Sequence, residues 1–97
     1  MIQRFCFVKL RAEHVAARVE LAEKLRAELI AAGADATVGV PADASASRWD
    51  LAITINTASL AAWNALATLP AMTGVFDELA ARAEVVKAWT FEAVTRA

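Results

Sequence analysis

The sequence has few of the residues that carry metal, redox and acid–base chemistry. It contains one histidine, His14, and one cysteine, Cys6. Metal sites and Ser-His-Asp triads combine histidine with further ligands or a nucleophile motif, so we expect neither a metal nor a triad. His14, near the start of a predicted helix, is either a general base or a solvated helix-start residue. Cys6 has no partner for an internal disulfide, which favours a reducing compartment.

Glycine and surplus charge are also scarce. Gly33, Gly39 and Gly74 are the only glycines and lie far apart. Dinucleotide fingerprints and phosphate-binding loops need closely spaced glycines, so we expect no cofactor of that kind, and we predict none of any other. Ten basic residues face eleven acidic ones, without a basic run. This balance argues against a nucleic-acid partner.

Long apolar runs are missing too. The longest candidate, residues 60–72, is interrupted by Asn64, Thr68 and Pro70. A membrane-spanning helix needs roughly 18 or more apolar residues, so we expect no membrane partner. The N-terminus starts a strand pattern at once and lacks the basic head and apolar core of a secretory signal. The expected location is therefore the cytoplasm.

Apolar residues, in contrast, are abundant. They make up 59% of the 97 residues, against roughly 45–50% in ordinary globular proteins. A chain of this length forms one domain, and we take residues 1–97 as that domain. Its interior is too small for so many apolar groups, so we expect part of the apolar surface to be covered by a partner.

Hydrophobic periodicity predicts an α+β domain. Alternation predicts strands over residues 2–10, 37–40, 49–56 and 84–94, with Trp49 on the same face as Leu51 and Ile53. Three- and four-residue spacing predicts a helix over residues 12–32 and a second helical region after Ser59, broken at Pro70. The order βαββαβ predicts the ferredoxin-like arrangement: a four-stranded antiparallel sheet with both helical regions on one face.

The first and last strands are neighbours in that arrangement. Alternation then places four aromatic side chains together on the face away from the helices. Leaving them in water would be unfavourable, since each large apolar group gains about 1.5–3 kcal/mol from burial. A second copy packed sheet against sheet is the simplest cover, so we predict a homodimer. The predicted interface residues are Phe5, Phe7, Trp89 and Phe91.

Three segments resemble the stress-responsive A/B barrel family. They are the opening strand, residues 1–10 (Met-Ile-Gln-Arg-Phe-Cys-Phe-Val-Lys-Leu), the segment Leu-Pro-Ala-Met at 69–72 followed by Phe76, and the closing strand, residues 85–92. The resemblance spans nearly the whole chain. It implies a dimeric α+β barrel in which two sheets face each other with the helices outside.

One branch of that family resembles polyketide cyclases, which hold an apolar chain in a cleft between sheet and helices. Its acid–base residues are a histidine on the first strand and a histidine in a His-Pro-Ala-His segment. Here the corresponding positions are Arg4 and, in the segment Leu-Pro-Ala-Met, Met72. Arginine stays protonated near neutral pH and methionine does not titrate, so neither replaces a histidine base. The resemblance therefore implies the cleft without the cyclase chemistry.

Arg4 is the least expected residue of the first strand, because its face is otherwise apolar. A buried guanidinium needs a partner. Either it pairs with an acid (Asp77, Glu84 or Glu92) or reaches water, or it binds a ligand carboxylate with two donors. Cys6, on the same face, is either a nucleophile activated by Arg4 or a small buried hydrophobe.

Four further side chains are candidates for the wall of a cleft against the sheet, although an apolar helix stripe can equally be core. Together with Arg4 the candidate ligand-binding residues are Trp63, Leu66, Met72 and Phe76. Met72 and Phe76 are the expected edge of the pocket. No catalytic residue can be named.

The sequence leaves two main candidate functions and one lesser one. The first is a non-catalytic homodimer that binds a small, largely apolar molecule, acidic if Arg4 holds a carboxylate, or that serves as a stress-related accessory. The alternative is a cofactor-free enzyme of cyclase-like or monooxygenase-like type that uses the cleft between sheet and helices. A purely structural or partner-binding module is the remaining case.

Overall fold

The computed structural model describes residues 1–94 and contains four strands and three α-helices. The strands are β1 (Ile2–Leu10), β2 (Asp35–Gly39), β3 (Leu51–Thr57) and β4 (Ala83–Glu92). The helices are α1 (Arg18–Ala31), α2 (Leu60–Ala67) and α3 (Pro70–Arg82). Short 3-10 helices occupy Ala12–Ala17 and Ala44–Ala46.

The strands form one antiparallel sheet in the order β2-β3-β1-β4. The two outer positions are thus taken by β2 and β4, and the first and last strands are neighbours as expected. Arg4 lies opposite Thr90, Cys6 opposite Ala88, and Phe5 opposite Trp89. Directly opposite residues share a face of a sheet, so this register fixes which side chains of β4 point toward the helices.

The core lies between one face of the sheet and the helices. Alternate residues of β1 and β3 are buried there, including Val8, Ile53 and Ile55. They pack with the buried residues of α1 and α3, among them Leu29 and Leu79. The ferredoxin-like arrangement predicted from the element order is therefore confirmed.

Local signals set the helix boundaries. The Ser59 side chain accepts a hydrogen bond from the backbone N–H of Ala62 at 3.1 Å, as an N-cap does. Pro70 occupies the first turn of α3, where its missing donor costs nothing. The predicted break at Leu69-Pro70 therefore separates two helices rather than kinking one. Gly33, just after α1, has φ +95°, a conformation that favours glycine.

The assignment of Trp49 to a strand was wrong. β3 begins at Leu51, and the Trp49 ring contacts Phe7 on the opposite face from Ile53, with 5.7 Å between the ring centroids. The Trp49 N–H closes a turn by donating to the Ala46 carbonyl at 3.1 Å. The next residue, Asp50, is bonded to β1: its backbone N–H donates to the Val8 carbonyl at 2.8 Å, and its carboxylate accepts from the Leu10 N–H. Trp49 therefore belongs to the turn before β3 and lies outside the strand alternation.

The remaining boundaries shift by a few residues. The first helical segment, predicted over residues 12–32, divides into the 3-10 helix Ala12–Ala17 and α1. The second strand lies at Asp35–Gly39 rather than residues 37–40, and the last at Ala83–Glu92 rather than residues 84–94.

Candidate functional site

A cavity of about 330 Å³ opens between the β1–β4 half of the sheet and helices α2 and α3. It exists because the helices cover the two halves of the sheet unequally. On the helix-facing side, Ile53 of β3 is buried, whereas Val86 of β4 is 42% exposed. The cavity is lined by Arg4, Cys6, Trp63, Ala67, Met72, Thr73, Phe76, Asp77, Val86 and Ala88.

Arg4 is the cationic group of the cavity. Its Nη1 donates to the Thr90 hydroxyl at 2.8 Å, and its guanidinium carbon lies 5.4 Å from the centroid of the Trp63 ring. A guanidinium over an aromatic face is stabilised by the ring quadrupole. These two contacts use only one of its five N–H donors and hold the guanidinium between sheet and α2.

Pairing with an acid was one of the alternatives that the sequence left open for Arg4, and the described residues do not show it. Within residues 1–94 its guanidinium has no carboxylate within 4.0 Å. Glu84 instead lies 3.8 Å from Lys9. Arg4 is only partly buried, and its contacts are the Thr90 hydroxyl and the Trp63 ring. The Asp77 side chain borders the same cavity without forming that ion pair.

α2 forms a loosely packed side of the cavity. None of its eight residues is buried, and Trp63 and Leu66 are its partly buried contacts with the core. A helix this short is marginal without tertiary packing, so the Ser59 cap and the Trp63 contacts position it. The Arg4–Trp63 contact joins this helix to β1.

The apolar candidates from the sequence separate in space. Trp63, Met72 and Phe76 line the cavity with Arg4. Met72 is 1% exposed, so it belongs to the core side of the wall, whereas Phe76 is half-buried. Leu66 packs against the core and does not line the cavity.

Cys6 reaches the cavity from β1 but is only 3% exposed. Burial raises the pKa of its thiol, and the nearby Arg4 charge opposes that shift. The thiol is therefore protonated near neutral pH, and a protonated thiol is a poor nucleophile. Cys6 is thus better described as a small buried hydrophobe.

His14 lies elsewhere, in the 3-10 helix Ala12–Ala17. It does not line the cavity. Across the part of the chain that the structure describes, no group of three or more His, Cys, Asp or Glu side chains is arranged to hold a metal ion. Over the same residues, every helix is too short or too polar to cross a membrane.

The face of the sheet away from the helices carries a band of aromatic rings. Phe5 meets Phe91 edge to face at 5.7 Å between centroids, and Phe7 lies at the same distance from both Trp49 and Trp89. Trp89 is 43% and Phe91 54% exposed. We call these five residues the aromatic band. The sequence predicted four of them and missed Trp49, for the reason given above.

Comparison with known proteins places this geometry in a structural class. Neither a scan against protein-family models nor a search of the curated proteins found a match. Solved structures match over nearly the whole chain. A dimeric ferredoxin-like protein of unknown function from Bacteroides fragilis is 18% identical, with a TM-score of 0.75 and 95% of each chain covered. The chain has the ferredoxin-like fold.

Other ferredoxin-like structures agree. A dimeric protein of unknown function from Jannaschia sp. CCS1 is 16% identical, with a TM-score of 0.76, over 95% of this chain and 98% of that one. An antibiotic biosynthesis monooxygenase is 12% identical, with a TM-score of 0.70, over 98% and 100%. Identities this low establish the fold alone. The predicted resemblance to dimeric α+β barrel proteins is therefore confirmed as a likeness of fold.

Two polar residues, one beside Arg4 and one in the cavity wall, were not predicted as site residues. Thr90 faces Arg4 directly across β1 and β4, and Thr73 lines the cavity from α3. Thr90 could have been found by aligning the two neighbouring strands. Thr73 had no such signal, because the break at Pro70 decides which side of α3 faces the sheet.

Proposed function

We propose that this protein is a homodimer that binds a small, largely apolar carboxylic acid in the cavity between its sheet and helices. The observation that carries the proposal is the Arg4 guanidinium, held at an apolar cavity of about 330 Å³ with most of its donors unused by residues 1–94. Ligand sites typically measure about 300–1,000 Å³, with a few placed polar groups in apolar walls.

Arg4 is suited to a carboxylate in both charge and shape. Its planar guanidinium offers parallel N–H groups that match the two carboxylate oxygens. Thr90 and Trp63 restrict its rotamer before a ligand arrives, which lowers the entropy lost on binding. The apolar part of the ligand would contact Trp63 and Phe76.

The homodimer rests on the aromatic band. Large, exposed, contiguous aromatic surface is unusual on a monomer, and proteins of this fold from Bacteroides fragilis and Jannaschia are described as dimeric. We propose that Phe5, Phe7, Trp89 and Phe91, with Trp49, pack against a second copy. We further propose that residues 1–97 form one domain that acts in the cytoplasm as a ligand-binding or stress-related accessory protein.

A cofactor-free, monooxygenase-like enzyme is the second candidate, because a protein named as an antibiotic biosynthesis monooxygenase shares the fold. It would use the same cavity and Arg4, without a histidine base. Measuring oxygen uptake in the presence of a bound acid distinguishes the two candidate functions. Oxygen uptake supports the enzyme, and binding of the acid without uptake supports the non-catalytic binding protein.

The test of the proposal is calorimetric titration with octanoate and octanol on the wild type and on Arg4→Ala. We expect the wild type to bind octanoate more tightly than octanol, since only the carboxylate of the acid pairs with Arg4. Arg4→Ala should weaken octanoate binding at least about tenfold, because hydrogen bonds to charged groups are worth about 1.5–3 kcal/mol each. The dimer should persist in sedimentation velocity.

Arg26→Ala is the matched control. It removes the same charge from α1 at an exposed position that does not line the cavity, so octanoate affinity should stay unchanged. An Arg4→Ala variant that binds octanoate as tightly as the wild type would contradict the carboxylate role.

A further inference from the structure

The two polar sides of the cavity have opposite hydrogen-bonding capacity. On the sheet side, Arg4 has donors only, and the Thr90 hydroxyl already accepts from it. On the helix side, Thr73 and Asp77 of α3 line the cavity. They stand four residues apart and therefore share one face of the helix.

The α3 side offers acceptors. The Thr73 hydroxyl donates to the Pro70 carbonyl at 3.2 Å, which commits its hydrogen and leaves its oxygen lone pairs. Asp77, when ionised, is an acceptor only. Within residues 1–94 the Asp77 carboxylate has neither a side-chain hydrogen bond nor an ion pair, although the neighbouring Glu78 pairs with Lys24 at 2.8 Å.

The donors of Arg4 and the acceptors of α3 border the same cavity, but Arg4 and Asp77 form no ion pair. Met72, Phe76 and Ala88 contribute apolar wall beside them. A ligand with a carboxylate at one end only would satisfy Arg4 and leave the acceptors to water.

We propose that the ligand is bifunctional: an acid whose carboxylate binds Arg4 and whose other end carries a hydrogen-bond donor, a hydroxyl or ammonium group, that binds Asp77 and Thr73. An apolar segment joins the two groups. This inference rests on the proposed acid-binding function and specifies its ligand class.

The test compares three probes: octanoate, its ω-hydroxy derivative and its ω-amino derivative, repeated with the hexanoate and decanoate series because the chain length that spans the cavity must be found. At the best length we expect the ω-hydroxy or ω-amino acid to bind about fivefold to tenfold more tightly than the plain acid. The gain is modest because Asp77 is exposed and water competes for it.

Asp77→Ala should remove this preference, so that the plain and ω-substituted acids bind this variant with equal affinity. Glu23→Ala, which removes an exposed carboxylate of α1, should keep the preference. A larger gain from the amine than from the hydroxyl, lost in Asp77→Asn, identifies charge as the recognised feature. An equal gain from both identifies hydrogen bonding.

Two outcomes overturn the inference alone: plain and ω-substituted acids bind equally at every chain length, or Asp77→Ala keeps the preference. If no acid binds, or if binding is indifferent to Arg4→Ala, the proposed function fails together with it. The separate readouts on Arg4 and Asp77 keep the two failures distinguishable.

Discussion

At the scale of single residues, two charged side chains lie against the core and are satisfied in different ways. Asp50 is 9% exposed, and its carboxylate accepts from the Leu10 N–H at 2.8 Å and from Arg18 at 3.2 Å. Arg4 has a hydroxyl and an aromatic ring beside it instead of a counter-ion. Asp50 therefore has a structural role, whereas Arg4 retains donors for a ligand.

The hydrogen bond between Asp50 and Leu10 should contribute strongly to stability. Asp50→Ala leaves the buried Leu10 N–H without an acceptor, so it should lower the free energy of unfolding by about 2–3 kcal/mol. Asp50→Asn keeps one acceptor oxygen and should lower the free energy of unfolding by only about 1 kcal/mol. Urea unfolding at one fixed protein concentration measures both, because dimerisation would make apparent stability depend on concentration.

Arg18→Ala is the control for Asp50. Its ion pair with Asp50 is partly exposed, and such pairs contribute about 0–1 kcal/mol. A small effect of Arg18→Ala beside a large effect of Asp50→Ala attributes the stability to the Leu10 N–H. Equal losses of unfolding free energy in the two variants would attribute the stability to the ion pair instead.

The sequence reveals these two residues unequally. Arg4 stands out because it interrupts an apolar strand face, and the structure places it on that face. Asp50 does not stand out, because strand alternation puts it at an ordinary outward position. Its burial follows from a contact with Leu10, forty positions away in the chain, and no local pattern encodes such a contact.

At the scale of elements, the features that act within one helical turn were predictable. The Ser59 cap, the break at Pro70 and the left-handed Gly33 each follow from the conformational preference of one residue. The start of β3 was not predictable, because it depends on the turn that the Trp49 N–H closes and on hydrogen bonds between Asp50 and β1. Trp49 moved to the other face of the sheet as a result.

Two glycines test this local control with opposite expected signs. Gly33→Ala forces a side chain into φ +95° and should lower stability by about 1 kcal/mol. Gly74→Ala lies inside α3, where an added Cβ meets nothing within 4 Å, and should raise stability by about 0.5–1 kcal/mol. Thermal and urea unfolding of both variants check the signs. A Gly33→Ala variant at least as stable as the wild type would refute this account of Gly33, and a destabilised Gly74→Ala variant would contradict the account of Gly74.

At the scale of the whole molecule, the two faces of the sheet were predictable to different degrees. Alternation identifies the aromatic band, because the side-chain period of a strand assigns each residue to a face. The cavity on the other face depends on how far α2 and α3 stand from β4. Trp63, Met72 and Phe76 line the cavity from these two helices, but neither the volume of the cavity nor the exclusion of Leu66 from its wall follows from the spacing of residues in the sequence.

A charge placed in the aromatic band should weaken the proposed dimer. Phe7 lies between Trp49 and Trp89, so Phe7→Asp should place a charge within the proposed interface. The loss of apolar burial, about 1.5–3 kcal/mol for each copy of the ring, should raise the dimer dissociation constant at least about a hundredfold, measured by sedimentation equilibrium. Phe91→Asp, at a more exposed ring, should also raise the dimer dissociation constant, with less disturbance of the monomer fold.

Val19→Asp is the control for both variants. It removes a similarly exposed apolar side chain from α1 and should leave the dimer intact, since α1 packs on the opposite face. A stable dimer in both phenylalanine variants would show that the copies meet through another surface.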